Sequence, residues 1–232
     1  MSRRRWIADE WSGDRAAITG ANARHLAQVL RAKVGQTFEL AHGGEVRLGT
    51  IAEISDGRVS FTLGDAVAVT RTAREITVAL AVFKFDRFEW AIEKLTELGV
   101  ARIAPVIAQR TDAHLVKAAE KRVERWRRIA HEASQQSRRL AEPVIEEPIA
   151  LKKLAAEGAK ILLSENEKAV ALGDVLAAGP VTLTIGPEGG WTADEERWFA
   201  EQGWQSASLG STVLRAETAA IAAVAVAMAL GE

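Results

Sequence analysis

The apolar residues change their period once, near residue 75, and no other feature of the chain limits its fold as much. Before that point the pattern is one of short alternating runs joined by tight turns. "TFELA" and "EVRLGTIAEI" flank His42-Gly43-Gly44, and Asp56-Gly57 separates Ile54 from "RVSFTL", in which Val59, Phe61 and Leu63 alternate as in a half-buried strand. One helical segment, "NARHLAQVLR", interrupts them, with Leu26, Val29 and Leu30 on a single stripe behind an Asn22 cap. These runs predict a small β-barrel with one helix over residues 1–72.

Beyond residue 75 the runs lengthen. "ITVALAVF" is almost continuously apolar, as a strand buried on both faces of a parallel sheet must be. A helix from Asp86 to Leu98 follows, with Phe88, Ile92, Leu95 and Leu98 on one face and Gly99 at its end. "RIAPVI", "KILLS" and "VTLTI" read as further strands. A long helix from Val116 to Arg139 would bury Ala119, Val123, Trp126, Ala130 and Ala133, and "AVALGDVLAA" supplies another. This alternation predicts an α/β sheet domain over residues 73–232.

Composition removes several function classes. The chain has no Cys, which excludes disulfides, thiolate metal sites and thiol nucleophiles. His25, His42, His114 and His131 lack metal-ligand spacing, so no metal is expected. The apolar run Ala219–Leu230 is too short for a membrane span, and Asp9 and Glu10 stand where a signal peptide needs apolar residues; a cytoplasmic location with no membrane partner is expected. Net charge is −1, but its distribution is uneven: residues 110–139 hold 9 Lys/Arg against 4 Asp/Glu, and residues 140–232 hold 6 against 14.

Two glycine-bearing junctions stand out. In "IGPEGGWTADEE" the strand ends at Ile185, and Thr192 and Glu195 have capping-box spacing, so a helix starts near Ala193. The loop between is neither a G-x-G-x-x-G fingerprint nor a phosphate loop. In "SLGSTVLRAETAAIAAVA" a short strand ends at Gly210 and an apolar helix starts near Arg215. Each junction is either a plain strand-to-helix turn or one wall of a backbone-lined pocket. Arg215 and Glu217 are either a cap, a salt bridge or part of a site.

These two loops, with "ARHLAQVLRAKVG", "KFDRFEWAIEKLTELGVARIAPVIAQR" and "RWRRIAHEASQQSRR", resemble the RsmE family of 16S ribosomal RNA uridine-N3 methyltransferases of the SPOUT class, over nearly the whole chain. The resemblance implies a PUA-like RNA-holding β-barrel followed by an α/β domain with a deep trefoil knot. It further implies a homodimer through the knotted domain, S-adenosylmethionine as cofactor, and 16S ribosomal RNA or the small ribosomal subunit as partner. On this pattern Gly186, Gly190 and Gly210 present backbone to the cofactor, Ile185, Leu209 and Leu214 give apolar contact, and Pro187 and Thr218 complete the cofactor site. Arg215 would stabilise the uracil anion, with Glu188 or Glu217 as proton acceptor or orienting partner. Arg3, Arg4, Arg5, Arg31, Lys84, Arg110, Arg138 and Arg139 are the implied RNA contacts. The chain departs from the family's usual residues at Phe85, Gln109 and Gln135. Rival readings are methyl transfer to a ribose 2′-OH, and an assembly factor without catalysis.

Overall fold

In the computed structural model, which describes residues 5–68 and 74–231, contacts gather the chain into two units: 5–68 with 134–141, and 74–133 with 142–231. Arg3, Arg4 and the expected boundary at residues 72 and 73 lie outside the described residues.

The first unit has six strands, β1 (Arg5–Ile7), β2 (Glu10–Ser12), β3 (Arg15–Thr19), β4 (Thr37–His42), β5 (Glu45–Ser55) and β6 (Arg58–Ala66). Their order across the sheet is β1-β4-β5-β6-β3-β2. The two edge strands are successive parts of one segment: Ala8 N–H bonds the carbonyl of Ala41 and Asp9 N–H that of Ala17, both at 2.9 Å. The segment thus joins β4 to β3 and curls the sheet round into a barrel, with β1 and β2 left as its two edges. Ile18, Leu26, Leu40, Ile51, Val59 and Phe61 fill its interior. Gln135 belongs to this unit, where its side-chain amide donates to the carbonyl of Ile7 and accepts the N–H of Ile7, each at 2.8 Å.

The helical segment corrects the sequence reading. Helix α1 (Gly20–Arg24) has Thr19 as its N-cap residue, so Asn22 lies inside the helix and does not cap it. Over His25–Val29 the turn widens to π geometry, and the N–H of Leu30 bonds the carbonyl of His25, five residues back. The extra residue per turn breaks the 3.6 period. Leu26 stays in the core, whereas Val29, expected on the same stripe, is 65% exposed.

The second unit is built on β7 (Ile76–Ala81), β8 (Arg102–Ile107), β9 (Val144–Ile145), β10 (Ile149–Ala150), β11 (Ala159–Leu163), β12 (Val181–Ile185) and β13 (Gln205–Ala207). All pair in parallel, in the order β10-β8-β7-β12-β11-β13, with β9 also on β8. Helices α2 (Phe85–Glu97), α3 (Ala113–Ala119), α4 (Val123–Gln136), α5 (Leu172–Val175), α6 (Ala193–Glu201) and α7 (Ala216–Ala229) connect them. The strand β12 enters between β7 and β11, two strands laid down before it. Every residue of β7 and β12 is buried, which explains their unbroken apolar character.

The expected long helix is divided: α3 and α4 flank a single tight turn at Glu120–Arg122. Its stripe of Ala119, Val123, Trp126, Ala130 and Ala133 is buried as expected, and Trp126 meets Phe88 at 4.8 Å between ring centroids. Its arginines are engaged by carboxylates: Arg122 and Arg125 grip the buried Glu89, and Arg127 holds Glu147. Only Leu172–Val175 of "AVALGDVLAA" is helical. Among the described residues no helix is long and apolar enough to cross a membrane.

Candidate functional site

The carboxyl ends of β11, β12 and β13 emit three loops, residues 164–171, 186–192 and 208–215, at the place where strand order reverses across β7 and β12. Open parallel sheets form ligand crevices at such points. Here the loops enclose a cleft of about 330 Å³, within the range of small-molecule sites.

Each wall has a local cause. In the first loop the Glu167 carboxylate accepts the N–H groups of Ala169 (2.7 Å) and Val170 (3.0 Å), and these bonds, that of Ala169 foremost, hold it below the usual carboxylate range. Ser164 Oγ and Asn166 Nδ2 both donate to Glu196 Oε1, at 2.8 and 3.0 Å, and fix that carboxylate at the rim. In the second loop the N–H of Gly190 bonds the carbonyl of Pro187 at 2.8 Å, closing a tight turn, and the chain leaves that turn through φ of +68° at Gly190 itself.

The expected capping box is present: Thr192 Oγ1 accepts the N–H of Glu195, whose carboxylate accepts the N–H of Thr192. Glu195 also accepts the N–H of Gln109 at 2.7 Å, and Thr192 Oγ1 donates to the Gln109 side chain at 2.8 Å. Arg110 Nη1 donates to the carbonyls of Gly189 and Trp191. The loop after β8 thus braces the glycine loop from behind.

The cleft is lined by Ile185, Gly186, Pro187, Gly190, Leu209, Gly210 and Leu214, together with Glu188 and Arg215. Thr218 does not line it; the residue is exposed on the first turn of α7. The reasons for glycine also differ from expectation. A Cβ at Gly186 would come within 3.1 Å of the Trp191 indole, whereas one at Gly210 would meet no atom within 4 Å; there the backbone, at φ of +120°, is what demands glycine.

Arg215 is the N-cap residue of α7, exposed, and in no ion pair among the described residues. Glu217 is buried and lies 3.7 Å from Arg87, so the Arg215–Glu217 salt bridge is not formed. Its Oε2 is buried without a hydrogen-bond partner among the described residues. The same Arg87 Nη1 is 3.2 Å from Glu188. One guanidinium therefore gathers both carboxylates, and Arg87 is the site residue that the sequence reading missed. Its signal was available: Arg87 sits in the first turn of α2, where the helix dipole disfavours a cation unless an acid compensates.

The implied RNA contacts are distributed differently. Lys84 is 3.8 Å from Glu188 at the cleft, and Arg5 is engaged by Glu39 at 2.9 Å. Arg31 and Arg138 are exposed, and each holds a left-handed backbone, φ of +53° and +57°. Arg139 Nε donates to the carbonyl of Ala141 at 2.9 Å. Among the described residues no cluster of His, Asp or Glu is arranged to hold a metal ion.

Comparison with known proteins gives consistent matches. A family model described as RNA methyltransferase domain matches residues 70–228, and one described as RNA methyltransferase PUA domain matches residues 18–64. The ribosomal RNA small subunit methyltransferase E of Rickettsia conorii is 33% identical over 219 residues, covering 90% of this chain and 87% of that protein. The crystal structure of the Neisseria gonorrhoeae ribosomal RNA small subunit methyltransferase E bound to S-adenosyl methionine superposes with a TM-score of 0.86 at 30% identity, covering 99% of this chain and 98% of the other. A methyltransferase of Legionella pneumophila in complex with its cofactor SAM gives 0.85 at 28% identity, covering 100% and 99%.

Proposed function

We propose the reaction that follows from family membership, for the chain belongs to the ribosomal RNA small subunit methyltransferase E family. It methylates small-subunit ribosomal RNA with S-adenosylmethionine as donor. The observation that carries this reading is the three-loop cleft, because its lining suits that ligand. Apolar walls from Leu163, Ile185, Leu209 and Leu214 suit an adenine, and the carboxylates of Glu165, Glu188 and Glu196 suit a molecule bearing sulfonium and ammonium charges. Lys168 is a cation available to its carboxylate.

When bound, the cofactor supplies an electrophilic methyl group. The chain's own residues must orient the acceptor and manage its proton. We assign the acceptor as uridine N3, which is protonated at neutral pH and gains from a fixed cation as its proton leaves. Arg215 is that cation: always charged, at the cleft, and among the described residues without a competing carboxylate. Arg87 holds Glu188 at the rim, where that carboxylate can accept the proton, and keeps the buried Glu217 oriented behind it. Titration calorimetry with S-adenosylmethionine, followed by tritiated methyl transfer to small subunits and nucleoside mapping, tests the assignment. The expected product is N3-methyluridine; a 2′-O-methyl nucleoside overturns the acceptor, and no cofactor binding overturns the enzyme.

The finer architecture belongs to the same proposal. Insertion of β12 between β7 and β11 supports a trefoil knot through the cleft loops. Helix α7 is apolar all round, yet Thr218, Ala225 and Ala229 are exposed along one side. Such a helix needs cover, and we assign a second copy of this chain, in the cytoplasm, as its cover. Ala225→Arg should then convert a dimer to a monomer in sedimentation equilibrium; an unchanged mass would exclude this face.

A further inference from the structure

Residues 20–36 contain Arg24, Arg31 and Lys33 and no Asp or Glu. All three cations are exposed, and none is in an ion pair among the described residues, whereas Arg5 and Arg58 of the same unit are both held by glutamates. Two large apolar side chains share this stretch with them, Val29 at 65% and Val34 at 62% exposure. Leu30 and Ala32 turn inward and pack against the barrel core. The loop is thus anchored from beneath, with Val29, Arg31, Lys33 and Val34 presented outward.

Two backbone features hold this arrangement. The π turn at His25–Val29 rotates Val29 off the buried stripe, and the N–H of Ala32 returns to the carbonyl of Leu26 at 3.0 Å. Arg31 takes a left-handed conformation, where glycine would sit without strain. An arginine kept at that position and a valine turned outward both run against isolated stability, which fits a surface shaped for a partner.

We propose that Val29 and Val34 are apolar wedges that press on the faces or edges of unpaired bases of small-subunit ribosomal RNA, while Arg24, Arg31 and Lys33 neutralise the flanking phosphates. This rests on the RNA reading above. Charge selects the partner: a polyanion is the chemistry that an acid-free, triply cationic loop complements. Unstacked bases offer apolar faces to a side chain, as a duplex phosphate surface does not.

The two kinds of contact separate by salt. Filter binding of protein-free small-subunit ribosomal RNA, measured across a range of salt, compares the full-length protein with Val29→Ser/Val34→Ser and with Arg31→Gly. The valine variant should lose about tenfold in affinity at every salt, leaving the slope of log K against log salt unchanged. Arg31→Gly should flatten that slope by about 0.7, one phosphate contact on a single strand, without lowering the thermal midpoint. An unchanged thermal midpoint in all variants controls for folding. An unchanged affinity in the valine variant overturns the inference while the enzyme reading stands. Failure of the unaltered protein to bind this RNA overturns the inference alone, because the RNA reading stands or falls on methyl transfer to small subunits.

Discussion

Replacing Arg215 by alanine is expected to lower methyl transfer about 10²–10³-fold, with little change in S-adenosylmethionine affinity. The size follows from the role, since removing one fixed group aimed at a developing anion typically costs that much. The split between rate and affinity follows from position. A cation gains nothing from a neighbouring sulfonium, and among the described residues Arg215 makes no ion pair that its loss would orphan. The fold should be unaffected, because the residue is exposed and gives α7 no side-chain cap bond. Two further readouts separate this from a structural role. Raising the pH should partly restore the alanine variant, as uridine N3 begins to ionise without help. Arg215→Lys should recover part of the rate by charge alone, the planar fork being lost. Equal turnover by the alanine variant and the parent would remove Arg215 from the mechanism.

What could be read without coordinates depended on how local each feature is. The strand β7 is legible because burial on both faces leaves no polar position in "ITVALA", and the α6 capping box because Thr192 and Glu195 meet within one turn. Val29 was misread because a π turn has no marker in the apolar period. The three departures from the family pattern are explained only by distant partners. Gln109 serves the N-terminus of α6, Gln135 is bonded to Ile7, and Phe85 lies 6.1 Å from Trp126 with Arg122 over its ring. Arg87 carried one local sign, a cation in the first turn of α2, but its partners Glu188 and Glu217 are about a hundred residues or more away in sequence.

Gly210→Ala should divide one strain energy between folding and cofactor binding. At φ of +120° an L-residue is held in a sparsely populated region, at a cost of about 1–3 kcal/mol. No atom of the described residues lies within 4 Å of the added methyl, so contact with them adds nothing to that cost. If the loop keeps its shape, the strain appears as lost stability. If the loop relaxes, its wall leaves the cleft, and the strain reappears on binding as S-adenosylmethionine affinity reduced about 5- to 150-fold. The loop is exposed and lies outside the sheet, so relaxation is the expected course, with a nearly unchanged thermal midpoint and a large loss by calorimetry. Gly186→Ala is the contrast. Its backbone is not left-handed, and its methyl would push on the buried Trp191, which packs on Phe199 at 4.9 Å between ring centroids; there the thermal midpoint should fall first. A Gly210→Ala protein with parental midpoint and parental affinity would show that this bend does not shape the cofactor site.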